Sequence, residues 1–120
     1  MSLTSSMEDY LKAILVLHQR HGNARCVDVA DYLGVSKPSV SRAVKELSKS
    51  GHIIKKDGTL YLTQQGRQYA EQICERYQFF TARLVDAGVD RKTAEHDACN
   101  IEHAISAEAF QKLKSSLTNK

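Results

Sequence analysis

The stretch VADYLGVSKPSVSRAVKEL, residues 29–47, decides the fold of this chain. Its apolar residues recur three and four positions apart on both sides of Gly34, which is the pattern of two amphipathic helices separated by a short break. Ser36 predicts an N-cap for the second helix, and Pro38 follows in its first turn, where a missing N–H costs nothing. Two helices joined by so tight a turn predict a helix-turn-helix motif.

The flanking segments extend this motif on both sides. Residues 6–20 carry apolar side chains at helical spacing and predict a helix in front of it. Behind it, two short runs at residues 52–55 and 59–62 are joined by Lys56-Asp57-Gly58, and Asp-Gly is a strong hairpin signal. The order helix, helix, helix, hairpin predicts a winged helix-turn-helix in which the hairpin is the wing.

The second half of the chain predicts three more helices. Thr63 is placed to cap a long helix that stops near Gly88, Asp90 opens a fifth helix, and Ser106 caps a sixth. The absence of Trp and the single Pro also favour helices over many-stranded architectures. The predicted fold is therefore mainly α with a small β-hairpin wing, a winged helix-turn-helix followed by a helical domain.

Composition limits where the protein works. The longest uncharged apolar run, residues 13–17, is far too short to span a bilayer, and no secretory leader precedes it. We therefore predict a cytoplasmic protein with no membrane partner. In that compartment three cysteines indicate free thiols or metal ligands, not a disulfide framework; they are Cys26, Cys74 and Cys99.

The positive charge is concentrated in one window. Residues 36–56 contain six basic residues and one acidic residue, a net charge of +5, whereas the whole chain carries only +3. A basic window on a helix-turn-helix predicts a surface for DNA phosphate, although a charged stretch alone is as often a solvated helix face.

The third helix is predicted to enter the major groove with its N-terminal residues at the base edges. Arg42 is the candidate for a bidentate contact to guanine, worth about 1–3 kcal/mol of discrimination. Its predicted neighbours at the DNA are Lys37, Pro38, Ser39 and Ser41. Four further lysines are predicted to contact phosphate, which positions the protein without reading sequence; they are Lys45, Lys49, Lys55 and Lys56.

A second group of residues points to a metal. Cys99, Glu102 and His103 stand at i, i+3 and i+4, so on a helix a thiol, a carboxylate and an imidazole share one face. All three are donors for divalent transition metals, and Asp9 near the N-terminus is the best candidate for a fourth ligand. The pattern alone is weak, because a cysteine on a helix is usually a small core residue.

Four segments resemble the diphtheria toxin repressor and manganese transport regulator family, the iron-dependent repressors. They are SMEDYL at residues 6–11, VADYLGVS at 29–36, LTQQG at 62–66 and DACNIEH at 97–103. The resemblance implies a metal-activated, homodimeric transcriptional repressor of metal-uptake or metal-homeostasis genes. It also implies a DNA-binding domain at residues 1–63 and a metal-binding and dimerisation domain at 64–120, without the SH3-like third domain of longer relatives.

The resemblance assigns roles to individual residues. Cys99, Glu102 and His103 match the primary ligands of the iron-responsive branch, whereas Asp9 matches the aspartate of the manganese branch. Lys12 and Tyr77 stand where relatives place further ligands, so we expect one ion per subunit and not a cluster. Two residues near the primary ligands are candidates for an ancillary or supporting role at the metal: Glu95 and His96.

The cofactor expected from this donor set is a divalent transition metal. A thiolate disfavours Mn(II), so Fe(II) is favoured, with Mn(II) or Zn(II) as alternatives; no organic cofactor is expected. The expected partners are double-stranded DNA with a palindromic operator and a second copy of the chain. The competing interpretation is a winged-helix regulator gated by a small molecule or by thiol oxidation. An enzyme is disfavoured, because no Gly-rich oxyanion loop accompanies the Cys–His pair.

Overall fold

The computed structural model describes residues 3–118 of the chain, with side chains described as far as residue 117. Within that range it contains six helices and one two-stranded antiparallel hairpin, which confirms the predicted fold class. The chain divides into two compact units, Met1–Gln72 and Ile73–Lys120. The elements in chain order are α1 (Ser5–His21), α2 (Cys26–Leu33), α3 (Lys37–Lys49), β1 (Ile53–Lys56), β2 (Thr59–Leu62), α4 (Gln64–Asp86), α5 (Arg91–Ala104) and α6 (Ala107–Thr118).

The turn between α2 and α3 forms as the sequence predicts. Gly34 ends α2 with φ 69°, a left-handed conformation that glycine adopts without steric cost. The Ser36 hydroxyl then accepts a hydrogen bond from the Ser39 N–H at 3.2 Å and caps α3. Only three residues, 34–36, separate the two helices, and α3 buries one face and leaves the other open to solvent.

The first unit has a continuous apolar core. α1 packs against α2, α3 and β2, and its inward side chains are almost completely buried. Helices α2 and α3 and strand β2 also contribute buried apolar side chains to this core. Burial of apolar area therefore holds the helix-turn-helix and the wing together. Its largest fully buried members are Leu11, Ile14, Leu15, Val29, Val40, Leu47 and Leu60.

The wing is a short hairpin with a two-residue turn. Ile53 pairs with Leu62 and Lys56 with Thr59, so the loop is Asp57-Gly58. Both loop residues have positive φ, 52° and 80°, as a type I′ turn requires, and Asp-Gly meets that requirement at little cost. The predicted hairpin and its turn are therefore confirmed.

In the second unit, the later part of α4 packs against α6 through an aromatic cluster. Phe110 of α6 is buried, and the rings of Phe79 and Phe80 contact it at centroid separations of 5.3 and 6.1 Å. The apolar stripe of α6, formed by Phe110, Leu113 and Leu117, is only partly buried. Leu113 and Leu117 are exposed in the single chain, so this stripe does not belong entirely to the core of the unit.

Candidate metal centre and nucleic-acid surface

α5 carries the candidate metal ligands, and its N-terminus is fixed by Asp90. The Asp90 carboxylate accepts hydrogen bonds from the Thr93 hydroxyl at 2.7 Å and from the Thr93 N–H at 3.2 Å. These bonds, the first of them above all, hold the pKa of Asp90 below its ordinary value, because they stabilise the charged form. The predicted start of the helix is therefore correct, and its period places residues 99, 102 and 103 on one face.

Cys99, Glu102 and His103 come together on that face. One donor atom from each, the thiol sulfur, a carboxylate oxygen and a ring nitrogen, lies within 4.8 Å of the others. His103 Nε2 is 3.7 Å from Glu102 Oε1. The distance between His103 Nε2 and Glu102 Oε1 is longer than a hydrogen bond, and the three donor atoms lie close enough together to surround a common centre.

Burial of two of these side chains supports a metal site at this cluster. The side chain of Glu102 is completely buried and that of His103 is 11% exposed. A buried carboxylate is costly unless positive charge compensates it, and a divalent cation compensates it strongly. Thiolate, imidazole and carboxylate together fit Fe(II), Zn(II) or Co(II) better than Mg(II) or Ca(II).

Asp9, Lys12 and Tyr77 lie on helices other than α5. Asp9 lies in the second turn of α1, in the first compact unit, and is half-buried; Lys12 follows it three residues later on the same helix. Tyr77 lies on α4 in the second unit and is also half-buried. Within the second unit the structure brings together Cys99, Glu102 and His103. Asp9 belongs to the first unit, and its role as a ligand stays a prediction.

The two residues predicted to assist metal binding, Glu95 and His96, interact with other side chains. Glu95 forms an ion pair with Arg91 at 3.7 Å on the same helix. His96 lies 3.5 Å from Asp97, and its side chain is 79% exposed. Among the described residues of the second unit, the metal-ligating cluster comprises Cys99, Glu102 and His103 alone.

Sequence reasoning missed Arg76 of α4. Its guanidinium donates hydrogen bonds to the carbonyl oxygens of Glu102 at 3.3 Å and Ile105 at 3.1 Å. The available signal was its position on the inward stripe of α4, three residues after Ile73 and four before Phe80. An arginine on the inward face of a helix needs a hydrogen-bond acceptor in the interior, but the sequence does not show which group accepts.

The predicted DNA-reading residues form one exposed surface at the start of α3. Ser36 and Ser39 hydroxyls are 2.9 Å apart, and the Arg42 guanidinium donates to Ser39 Oγ at 3.5 Å. This weak link holds Arg42 beside the N-terminus of the helix without burying it. The other predicted members, Lys37, Pro38 and Ser41, are exposed as well.

The predicted phosphate-contacting lysines are exposed on α3 and on the wing. Lys45 and Lys49 lie on α3, and Lys55 and Lys56 on β1. The wing is held to α1 by His18, whose Nε2 lies 2.6 Å from the Leu60 carbonyl oxygen and whose ring stacks on Tyr61 at 5.5 Å. Within the first unit, the wing and α3 therefore both carry exposed basic residues, and both pack against α1.

In the part of the chain that the structure describes, no helix is both long enough and apolar enough to cross a membrane.

Two sequence families match the chain, one over each half. Residues 2–58 match the family described as "Iron dependent repressor, N-terminal DNA binding domain". Residues 63–119 match "Iron dependent repressor, metal binding and dimerisation domain". The second match includes Cys99, Glu102 and His103.

Similar proteins agree with these matches. The HTH-type transcriptional regulator MntR of Listeria welshimeri is 36% identical over 111 residues, which cover 92% of this chain and 78% of that protein. The structure of IdeR from T. acidophilum aligns with a TM-score of 0.76 and 26% identity, over 98% of this chain and 55% of that one. The manganese regulator SloR aligns with a TM-score of 0.82 and 25% identity, over 100% of this chain and 56% of that one.

Proposed function

The chain belongs to the iron-dependent repressor family, and from that premise we propose that it represses metal-uptake or metal-homeostasis genes when Fe(II) binds at Asp9, Cys99, Glu102 and His103. Membership establishes the coarser function: the protein is a metal-dependent, DNA-binding transcriptional repressor and not an enzyme. It favours metal gating over the competing interpretation of a small-molecule or thiol-redox switch. The ligands, the metal and the regulated genes are the proposal.

One observation carries the proposed ligand set. A fully buried carboxylate, a nearly buried imidazole and a thiol converge on one turn of α5. Such a group has no evident use in packing, because an apolar residue would fill the same volume without the cost of burying charge. Three protein ligands leave room for a fourth, and Asp9 is proposed for that position from the resemblance of its segment to the manganese branch.

The choice of Fe(II) follows from donor chemistry. Affinity for a given site rises from Mn(II) to Fe(II) and on to Zn(II), and a thiolate ligand widens the gap above Mn(II). Cys99 therefore favours Fe(II) among the two metals that the family names suggest. The SloR relative is called a manganese regulator, so Mn(II) is the main competitor and Zn(II) the next.

The proposed ligands explain how binding of the ion would reach the DNA. When bound, the ion supplies positive charge that compensates the carboxylates and the thiolate. Asp9 lies on α1, and α1 packs against α2 and α3 in the core of the first unit. A ligand on α1 would therefore hold the whole helix-turn-helix, because the helices of that unit share one packed core.

DNA and a second copy of the chain are the partners of a family with a DNA-binding domain and a dimerisation domain. We further propose a palindromic operator, since a two-fold dimer presents two recognition helices to two half-sites. Arg42 would read bases beside Lys37, Pro38, Ser39 and Ser41. The lysines of α3 and the wing would contact phosphate.

The domain limits and the compartment are part of the same proposal. We propose DNA binding for residues 1–63 and metal binding with dimerisation for residues 64–120. A repressor that reads DNA and responds to metal supply would work in the cytoplasm. These assignments rest on the family match and on the positions of the two candidate sites.

The proposal is tested by measuring DNA affinity as a function of metal. Purified protein is titrated against its own promoter region with Fe(II) under anaerobic conditions, and in parallel with Mn(II) and Zn(II). We expect at least a tenfold gain in affinity for DNA with Fe(II). Cys99→Ala and Asp9→Ala should lose that gain, whereas His96→Ala, an exposed residue of the same helix, should keep it.

Each result separates one part of the proposal. No metal dependence in the wild-type protein would overturn the metal-gated function. A normal response in Asp9→Ala would remove Asp9 from the ligand set. A response to Mn(II) at lower free concentration than to Fe(II) would reverse the metal assignment and leave the rest in place.

A further inference from the structure

The last turn of α5 is held by a side chain from another helix. Ile105 is the C-cap that follows α5, and its N–H still bonds to the carbonyl of Ile101 at 3.2 Å. The carbonyls after that point have no further N–H of the helix in reach, as at every helix C-terminus. Arg76 of α4 satisfies two of these carbonyl oxygens, because one guanidinium nitrogen donates to Glu102 O at 3.3 Å and to Ile105 O at 3.1 Å.

Arg76 is itself fixed from the opposite side. Its guanidinium carbon lies 5.8 Å from the centroid of the Phe110 ring, within the range of a cation–π contact. Phe110 is 2% exposed and is packed by Phe79 at a centroid distance of 5.3 Å. The guanidinium is therefore held between an aromatic cluster and the end of α5, and has little freedom to move.

The turn of α5 that Arg76 holds carries two of the proposed metal ligands. Glu102 accepts the Arg76 hydrogen bond through its own carbonyl, and His103 is the next residue along the backbone. A positive charge at a helix C-terminus also interacts favourably with the partial negative charge of its carbonyls. The two ligands thus belong to a turn whose position relative to α4 and α6 is set by Arg76.

We propose that Arg76 is a positioning residue of the metal centre, which presets the turn carrying Glu102 and His103 so that their donor atoms converge with Cys99 before the ion arrives. The inference rests on the proposed function, since it assumes that these residues bind the metal. Side chains that orient metal ligands typically change affinity by about 10- to 100-fold when they are removed. Arg76 does this through the backbone of the ligand turn and not by contacting the ion.

The test compares Arg76→Met with Arg83→Met in the full chain. Methionine keeps much of the aliphatic stem and removes the charge and both hydrogen bonds. Arg83 lies on the same helix and forms an ion pair with the exposed Asp86, so it controls for loss of an arginine from α4. Co(II) alone is the probe, because its absorption reports both affinity and the thiolate–metal bond to Cys99.

We expect Arg76→Met to bind Co(II) at least tenfold more weakly than Arg83→Met, with a changed visible spectrum at saturation. Arg76→Lys, which keeps the charge but not the planar donor group, should lie between them. Affinities are measured well below the thermal midpoint of each metal-free protein. A residue with only a structural role then leaves the dissociation constant unchanged, since nearly all molecules are folded. If Arg76→Met does not fold, Arg76→Lys takes its place in the comparison.

Two results would overturn the inference, and a third would overturn its premise. Equal Co(II) affinity in folded Arg76→Met and Arg83→Met, or an unchanged spectrum with unchanged affinity in Arg76→Lys when only that variant folds, refutes the positioning role. A wild-type chain that binds no Co(II) refutes the proposed metal site itself. The outcomes are distinguishable because the first two require a wild-type protein that binds.

Discussion

The carbonyl oxygen of His52 lies so close to Gly66 that a Cβ at residue 66 would overlap it, and would lie 2.9 Å from the carbonyl carbon. The same oxygen accepts a hydrogen bond from the Thr63 N–H at 3.0 Å. His52 precedes the wing and Gly66 lies in the first turn of α4. The segment between α3 and the wing is therefore packed backbone to backbone against the start of α4.

Gly66→Ala should destabilise the protein by about 2 kcal/mol or more, because the contact is with backbone and an added methyl group cannot be accommodated by a rotamer change. Urea unfolding monitored by circular dichroism measures the loss. Gln68→Ala, at an exposed position two residues further along α4, is the matched control and should change the free energy of unfolding by less than about 0.5 kcal/mol. Equal stability of the two variants would contradict the close approach.

His52 should make stability depend on pH. Its side chain is 5% exposed, its Nδ1 lies 2.6 Å from the Ser50 hydroxyl, and its ring meets Tyr69 edge-on. Burial lowers the pKa of His52 below the ordinary 6.5, because the charged form loses hydration. The unfolded state then binds a proton more readily than the folded state, so this stability is present above about pH 6.5 and is lost as pH falls towards the folded pKa.

The measurement is the free energy of unfolding of the metal-free protein between pH 7.5 and pH 5. We expect a steeper fall for the wild type than for His52→Gln, which cannot take up the proton. His21→Gln, at an exposed position at the end of α1, should follow the wild type. Parallel curves for the wild type and His52→Gln would show that burial of His52 does not control this dependence.

The features that sequence reasoning predicted are local ones. Gly34 and Ser36 fix the helix-turn-helix within a few residues of each other, and Asp57-Gly58 fixes the wing turn by its positive φ values. The i, i+3, i+4 pattern of the three α5 donors is likewise a property of one helix. Each of these needs no knowledge of what the segment packs against, and each appears in the structure as predicted.

The features that sequence reasoning missed depend on distant parts of the chain. Arg76 and Ile105 are 29 residues apart, and the contact between them follows from how α4 and α5 pack. Leu113 continues the apolar stripe of α6 by period, yet it is exposed in the single chain. Period tells which face of a helix is apolar, but not whether that face meets the same chain or another molecule.

Arg42 and Lys56 should differ in what they contribute to DNA binding. Arg42→Ala should lose about 1–3 kcal/mol of preference for the operator over random DNA, because a guanidinium at the start of α3 can read a guanine edge. Lys56→Ala should weaken binding to every sequence alike and lower the salt slope by about one. Fluorescence anisotropy on both DNAs at several salt concentrations measures the two effects.

Lys92→Ala is the control for loss of a surface cation, since Lys92 lies exposed on α5. It should leave both the preference and the salt slope unchanged. Equal loss of preference in Arg42→Ala and Lys56→Ala would remove the division between base reading and phosphate contact.

Glu102→Gln should separate metal binding from folding. The change keeps the shape of a completely buried side chain but removes its charge and most of its affinity for a divalent ion. A ligand present at 100 times its dissociation constant stabilises the folded state by about 2.7 kcal/mol. The wild type should therefore gain that amount of unfolding free energy in anaerobic Fe(II) at 100 times the wild-type dissociation constant. Glu102→Gln should gain less than about 1 kcal/mol under the same conditions, because an amide is a much weaker metal ligand than a carboxylate. His96→Gln, whose side chain is 79% exposed on the same helix, should gain as much as the wild type. If Glu102→Gln kept the full gain, the buried carboxylate would not be a metal ligand, and its burial in α5 would need another cause.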